Sequence, residues 1–210
     1  MNQRAKYILE QLDILFPNAK GELDHSNNFE LLVAVVLSAQ TTDVAVNIVT
    51  KDLFLHYPTP ILLANAKIDH VMQLINRIGL YRNKAKNIIN LSKILVEKYD
   101  GKVPNTREDL ESLPGVGRKT ANVVLSIAFN IPAIAVDTHV ARVSKRLGLV
   151  DENDSVIVIE QKLMKIFSKE VWTKLHHQLI LYGRYYCTAR NTDYDRCIFN
   201  DFCKHCSQKK

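Results

Sequence analysis

Two side chains suited to covalent chemistry, Lys119 and Asp137, stand eighteen residues apart in the stretch LPGVGRKTANVVLSIAFNIPAIAVDTHVAR, residues 113–142. A lysine amine attacks electrophilic carbon once desolvation or a neighbouring cation favours its neutral form, and Arg118 is its neighbour in the chain. Asp137 precedes a segment of helical periodicity and has two readings. A carboxylate there is an N-cap, worth about 0.5–2 kcal/mol, and a carboxylate so oriented can also stabilise cationic charge or relay a proton. Upstream, Leu113-Pro114-Gly115-Val116-Gly117 brackets one small apolar residue with two glycines. Glycine tolerates positive φ and lets another backbone or side chain approach closely. Ala121, Val124, Leu125 and Ala128 then recur at helical spacing. A tight turn feeding a helix leaves backbone N–H groups that can hold a phosphate, and Arg118 with Lys119 sets two cations beside them. The plainer reading is a loop between two helices, with Lys119 neutralising phosphate at the surface.

A second group of chemistry-bearing residues lies at the C-terminus. All four cysteines, Cys187, Cys197, Cys203 and Cys206, fall in the last 24 residues with the spacing C-x9-C-x5-C-x2-C. In a chain kept reduced, such clustering points to metal or cluster binding ahead of disulfides, with free thiols as the rival. His176 and His177 are adjacent and lack the i, i+4 spacing of a helical metal pair, so they read as structural. His139 reads as a structural residue or a contact to a phosphate backbone. Arg82, Lys84 and Lys86 form a basic run that is either a solvated helix face or a set of phosphate contacts.

The elements that must position these residues are helical. Apolar spacings of three and four predict helices over 3–15, 29–39, 43–55, 70–76, 83–98, 106–112, 117–129, 137–147, 154–167 and 171–186. Breakers fall between them at Pro17, Pro58, Pro60, Gly79, Gly101, Pro104, Pro114, Pro132 and Gly148. Thr106 with Asp109 resembles a capping box, with Asn105 as the rival cap, and Asp43 is placed to cap the helix that follows it. The fold class is all-α.

Composition sets outer limits. The 210 residues are 47% hydrophobic and 24% charged, ordinary for a globular protein with a real core. The net charge of +6 favours a polyanionic partner. The longest apolar run, Leu31–Leu37, is far short of the roughly twenty residues a membrane span needs. The N-terminal segment MNQRAKYILEQLDILF is helix-patterned and unlike a signal peptide, so a cytoplasmic protein with no membrane partner is expected.

Five stretches, in order, carry a resemblance over nearly the whole chain: LLVAVVLSAQTTD (31–43), IGLYRNKAKNI (78–88), LPGVGRKTANVV (113–124), AVDTHVARVSKRLGL (135–149) and HHQLILYGRYYC (176–187). Together they resemble the endonuclease III branch of the helix-hairpin-helix DNA glycosylase superfamily. The resemblance implies a two-lobed fold: a six-helix lobe over 22–131, holding the helix-hairpin-helix at about 106–130, and a second lobe of 1–21 plus 132–210 with a cysteine loop over 187–206. It implies a bifunctional glycosylase and abasic-site lyase of base excision repair, acting as a monomer on double-stranded DNA with oxidised pyrimidines or abasic sites. Lys119 would attack the sugar C1′, and the resulting imine would allow β-elimination on the 3′ side. Asp137 would stabilise charge at C1′. Leu113, Gly115, Val116, Gly117 and Arg118 would hold the DNA backbone. Base flipping leaves a hole in the stack. Gln40 would fill it and Leu80 would wedge into the opposite strand, against the plainer readings of a helix-end surface residue and a core leucine.

The family's cysteine loop reads C-x6-C-x2-C-x5-C and ligates a [4Fe-4S] cluster. Cys187, Cys197 and Cys203 match its first, third and fourth ligands, but Tyr194 stands at the second, and Cys206 is additional. Three outcomes follow: Cys206 supplies the missing thiolate, the cluster is incomplete or absent, or four thiolates hold Zn²⁺. Functional rivals are a monofunctional adenine or mismatch glycosylase, a non-catalytic helix-hairpin-helix DNA-binding module, and a basic helical metalloprotein unrelated to DNA.

Overall fold

The computed structural model describes residues 1–190 and 197–207. Among them every regular element is helical. The chain divides into two compact units, Glu22–Ile131 and the pair of segments Met1–Gly21 and Pro132–Lys210. No helix among the described residues is long and apolar enough to cross a membrane.

The chain opens with α1 (Gln3–Leu15), a helix of the two-segment unit. The Glu22–Ile131 unit then runs through α2 (Asn28–Leu37), α3 (Asp43–His56), α4 (Pro60–Ala64) and α5 (Ile68–Leu74). It continues with α6 (Tyr81–Tyr99), α7 (Arg107–Glu111) and α8 (Arg118–Ala128). Helix α2 is its spine. Asn27 accepts from the Glu30 N–H at 3.0 Å, while the Glu30 carboxylate accepts from the Ser26 N–H at 2.7 Å, a reciprocal cap that fixes the helix start. Every residue from Phe29 to Leu37 is buried, as expected of a helix apolar on all sides. Around it pack Val46, Val49 and Leu53 of α3, Ile88, Leu91 and Leu95 of α6, and Ala121 and Val124 of α8.

Two local readings are corrected. Thr42, not Asp43, caps α3: its hydroxyl accepts from the Ala45 N–H, and Asp43 is the first helical residue. Pro60, read as a breaker, starts α4, a five-residue helix capped by Thr59. Proline suits the first helical position, because its missing N–H would be unpaired there anyway.

The other unit joins α1 to α9 (Thr138–Arg146), α10 (Val156–Ile166), a single 3-10 turn at Lys169–Val171, α11 (Trp172–Tyr185) and α12 (Lys204–Ser207). Its core gathers Ile8 and Leu12 of α1, Val140 and Val143 of α9, Leu163 of α10, and Leu175, Leu179 and Tyr182 of α11. Helices α9 and α11 meet at Gly183, where an added Cβ would lie 2.9 Å from His139 Cβ and 3.2 Å from Val143 Cγ2. Gly183→Ala should therefore cost about 1–3 kcal/mol by overpacking. Urea unfolding reads this as a lowered midpoint at constant slope, and an unchanged midpoint would contradict the close approach.

Candidate functional site

The predicted hairpin is built between α7 and α8. Thr106 caps α7, accepting from the Asp109 N–H at 3.2 Å and donating its own hydroxyl to Asp109 Oδ2 at 2.6 Å, so the rival Asn105 is set aside. Tyr99 donates to the other Asp109 oxygen at 3.0 Å. Arg107 Nε donates to the Oδ1 of fully buried Asn122 at 3.1 Å, tying α7 to α8. In the turn itself, Leu113 and Val116 are 2% and 7% exposed. Their side chains anchor the turn in the core, which leaves the backbone as what they can offer a ligand. Gly115 sits at φ +82°, and a Cβ there would come within 2.9 Å of Asn87 Nδ2 and 3.1 Å of Val36 Cγ1. Gly117 is the N-cap of α8 and makes no side-chain cap. The cap residue itself therefore supplies no side-chain acceptor to the first turn of α8. Lys119, the second residue of that helix, is exposed, and Arg118 is half-buried.

Two further turns sit at the ends of the helices that Gly115 touches. Gln40 follows α2 at φ 54°, and Leu80 precedes α6 at φ 58°. Left-handed backbone in residues with a Cβ costs on the order of 1 kcal/mol or more each and collects at functional positions. Leu80 is 58% exposed, which rules out the core-packing reading. Gln40 is also exposed. The basic run that follows needs correction at one position. Arg82 and Lys86 are exposed, but Lys84 is 4% exposed, and its ammonium donates to Thr41 Oγ1 at 2.7 Å. Burial pulls Lys84 below the ordinary lysine range.

In the other unit, Asp137 is the N-cap of α9, its Oδ1 accepting from the Val140 N–H at 2.8 Å. Two arginines on α9 that sequence reading passed over grip the start of the cysteine segment. Arg142 donates to the Gly183 carbonyl at 2.8 Å and the Cys187 carbonyl at 3.1 Å. Arg146 donates to the Thr188 carbonyl at 2.8 Å and to Cys187 Sγ at 3.2 Å. Their spacing of four, which places both on one helix face, was the available signal. His139 accepts from Arg142 Nη2 at 3.1 Å. Burial lowers its pKa, with the Asp137 charge opposing, which fits a packing residue. His176 and His177 are buried with ring centroids 4.0 Å apart.

The Sγ atoms of Cys197, Cys203 and Cys206 all lie within 4.8 Å of one another. Three thiols gathered this closely are a donor set for a thiolate-bound metal. Hydrogen bonding from Cys203, then Tyr182, holds the Cys197 thiol down at about 5. Cys203, the donor in that pair, is pushed up, and burial raises Cys206. Tyr194 lies outside the described residues.

Residues 33–169 match the model of the HhH-GPD superfamily of base excision DNA repair proteins. The endonuclease III of Bacillus subtilis strain 168 is 52% identical over 202 residues, which cover 96% of this chain and 92% of that protein. The chain belongs to the endonuclease III family. Two solved structures agree with that membership. A trapped covalent endonuclease III–DNA intermediate matches with a TM-score of 0.95 at 50% identity, over 100% of this chain and 99% of that one. A non-covalent endonuclease III–DNA complex matches with a TM-score of 0.96 at the same identity and coverage.

As in the rest of that family's fold, every regular element among the described residues is helical, and Cys197, Cys203 and Cys206, without Cys187, form a group able to bind a metal. The Glu22–Ile131 unit brings together the hairpin turn, the Gln40 turn and the Leu80 turn at the meeting ends of α2 and α6. The other unit supplies Asp137 and the cysteines on elements linked by Arg142 and Arg146. The cap at Asp137 can be separated from its charge. Asp137→Asn should leave the unfolding midpoint close to wild type, because asparagine caps as well, whereas Asp137→Ala should lose about 0.5–2 kcal/mol. Equal destabilisation by both would contradict the cap.

Proposed function

We propose that this chain is a bifunctional DNA glycosylase and abasic-site lyase that removes oxidised pyrimidines from double-stranded DNA during base excision repair, acting as a monomer in the cytoplasm. The observation that carries this reading is the match along the full chain to an endonuclease III caught in a covalent intermediate with DNA, joined to an exposed lysine in the first turn of a helix whose cap residue is glycine. The Gly115–Arg118 backbone, with the partial positive charge of the α8 N-terminus, would hold a phosphate and set the register of the strand. Gln40 would occupy the place of the flipped nucleotide, and Leu80 would wedge into the opposite strand.

The chemistry then falls to Lys119. Its amine lone pair forms a bond to C1′ as the C1′–N bond to the base breaks. The base leaves with that electron pair and takes up a proton, and the amine gives up one of its own. The sugar ring opens to an imine, which acidifies the C2′ proton. Loss of that proton expels the 3′ phosphate by β-elimination, and water releases Lys119. The Asp137 carboxylate would stabilise the cationic charge at C1′ and pass protons to and from the amine. Lys119→Gln should abolish strand cleavage on a duplex carrying thymine glycol or an abasic site while leaving duplex affinity within about threefold, because most affinity comes from phosphate contacts. Wild-type-like cleavage by that variant would exclude Lys119 as the nucleophile. Cleavage by neither protein would favour the non-catalytic module.

The cysteine group is proposed to hold a [4Fe-4S] cluster through Cys187, Cys197, Cys203 and Cys206, with Zn²⁺ as the alternative. Its role is to fasten the C-terminal segment rather than to take part in the sugar chemistry. The close grouping of Cys206 with Cys197 and Cys203 supports it as the ligand replacing the thiolate missing at Tyr194. The Arg146 N–H on Cys187 Sγ is the kind of outer contact that orients a thiolate ligand. Anaerobically purified protein should contain about four irons per chain with matching sulfide, and Cys206→Ser should lose most of that iron. Stoichiometric zinc would select the mononuclear alternative, and full iron in Cys206→Ser would remove Cys206 from the ligand set.

A further inference from the structure

The mechanism leaves one buried cation unused. Lys84 is almost fully enclosed, and among the described residues no carboxylate pairs with it; its partner is the Thr41 hydroxyl at 2.7 Å. A buried ammonium held by a single hydroxyl is a poor stabilising device, since an apolar side chain of the same length would fill the volume at lower desolvation cost. What it supplies is direction. The Lys84 backbone N–H donates to the Leu80 carbonyl at 3.0 Å, the first bond of α6. Its side chain reaches the residue after Gln40. Thr41 is itself fixed, its N–H donating to the Ser38 carbonyl at 3.1 Å and its hydroxyl to the Ala39 carbonyl at 3.3 Å. One residue therefore joins two exposed turns, each with a left-handed residue other than glycine at its tip. Left alone, each tip would relax toward ordinary backbone, because nothing in an exposed loop over-determines a strained φ.

We propose that Lys84 is a positioning residue whose bond to Thr41 locks the Gln40 and Leu80 turns into one preorganised insertion unit for opening duplex DNA. The link touches neither the sugar nor the base and acts through the two residues that enter the stack. It rests on the glycosylase reading above.

The test is single-turnover excision of thymine glycol from a duplex at saturating enzyme, with the active fraction of each preparation counted by borohydride trapping. Thr41→Val, which removes only the acceptor, should lower the rate constant per active molecule by roughly tenfold or more, the scale of a misplaced reacting assembly. Thr41→Ser, which restores the hydroxyl, should return it to near wild type. Lys84→Met should match Thr41→Val, and the double variant should be no slower than either, because both remove the same link. A merely structural role would reduce the active fraction and leave the rate constant untouched, which overturns the proposal. So does a Thr41→Val rate equal to wild type, or a loss that Thr41→Ser shares. If Lys84→Met does not fold, the valine and serine variants decide alone. Wild-type protein that neither excises nor traps would overturn the glycosylase reading and this inference with it.

Discussion

The absence of a side chain at Gly115 sets where the hairpin sits. With its Cβ position filled by Asn87 on one side and Val36 on the other, the turn can press against the end of α2 and the first turns of α6 at once. Any other residue would hold it off by the width of a methyl group and would also have to accept a φ of +82°. Leu113 and Val116 complete the seat by burying their side chains on either side of the glycine. The start of α8 is thereby aimed, and Lys119 with it. The same two helix ends carry the Gln40 and Leu80 turns, so one packing constraint collects the candidate nucleophile and both candidate inserting residues on a single body.

Buried or half-buried cations tie the functional segments down in each unit. Lys84 bonds a threonine hydroxyl. Arg142 and Arg146 bond backbone carbonyls and a thiol of the cysteine segment. Carbonyls and hydroxyls fixed by the fold are directional acceptors, so each bond sets where its partner segment lies. Asp137 begins the helix that carries both arginines, so the orientation of a candidate catalytic carboxylate and the anchoring of the cysteine segment depend on the same element.

Much of this was legible in the sequence, because local rules and tertiary structure agree in most places. The bounds of α1 at 3 and 15, the Thr106 cap and the Asp137 cap all follow from side-chain chemistry within a few residues. The failures have the opposite character. Pro60 reads as a breaker unless it is seen that Thr59 makes it a first helical residue. Lys84 reads as surface charge beside Arg82 and Lys86, yet it continues the buried stripe of Ile88, Leu91 and Leu95 one turn toward the N-terminus. Spacing placed it in the core, and residue type argued for the outside. The left-handed backbone of Gln40 and Leu80 had no local signal, since neither is glycine or asparagine. Such tips are imposed by the surrounding fold.

A lysine amine that attacks C1′ becomes bonded to DNA, and that bond can be found. Protein mixed with an abasic-site duplex is reduced with borohydride, digested, and the DNA-bearing peptide sequenced by mass spectrometry. The adduct should sit on Lys119, in the peptide that opens α8. An adduct on another lysine or on the N-terminal amine, or none under conditions where the strand is cut, would exclude Lys119 as the attacking group.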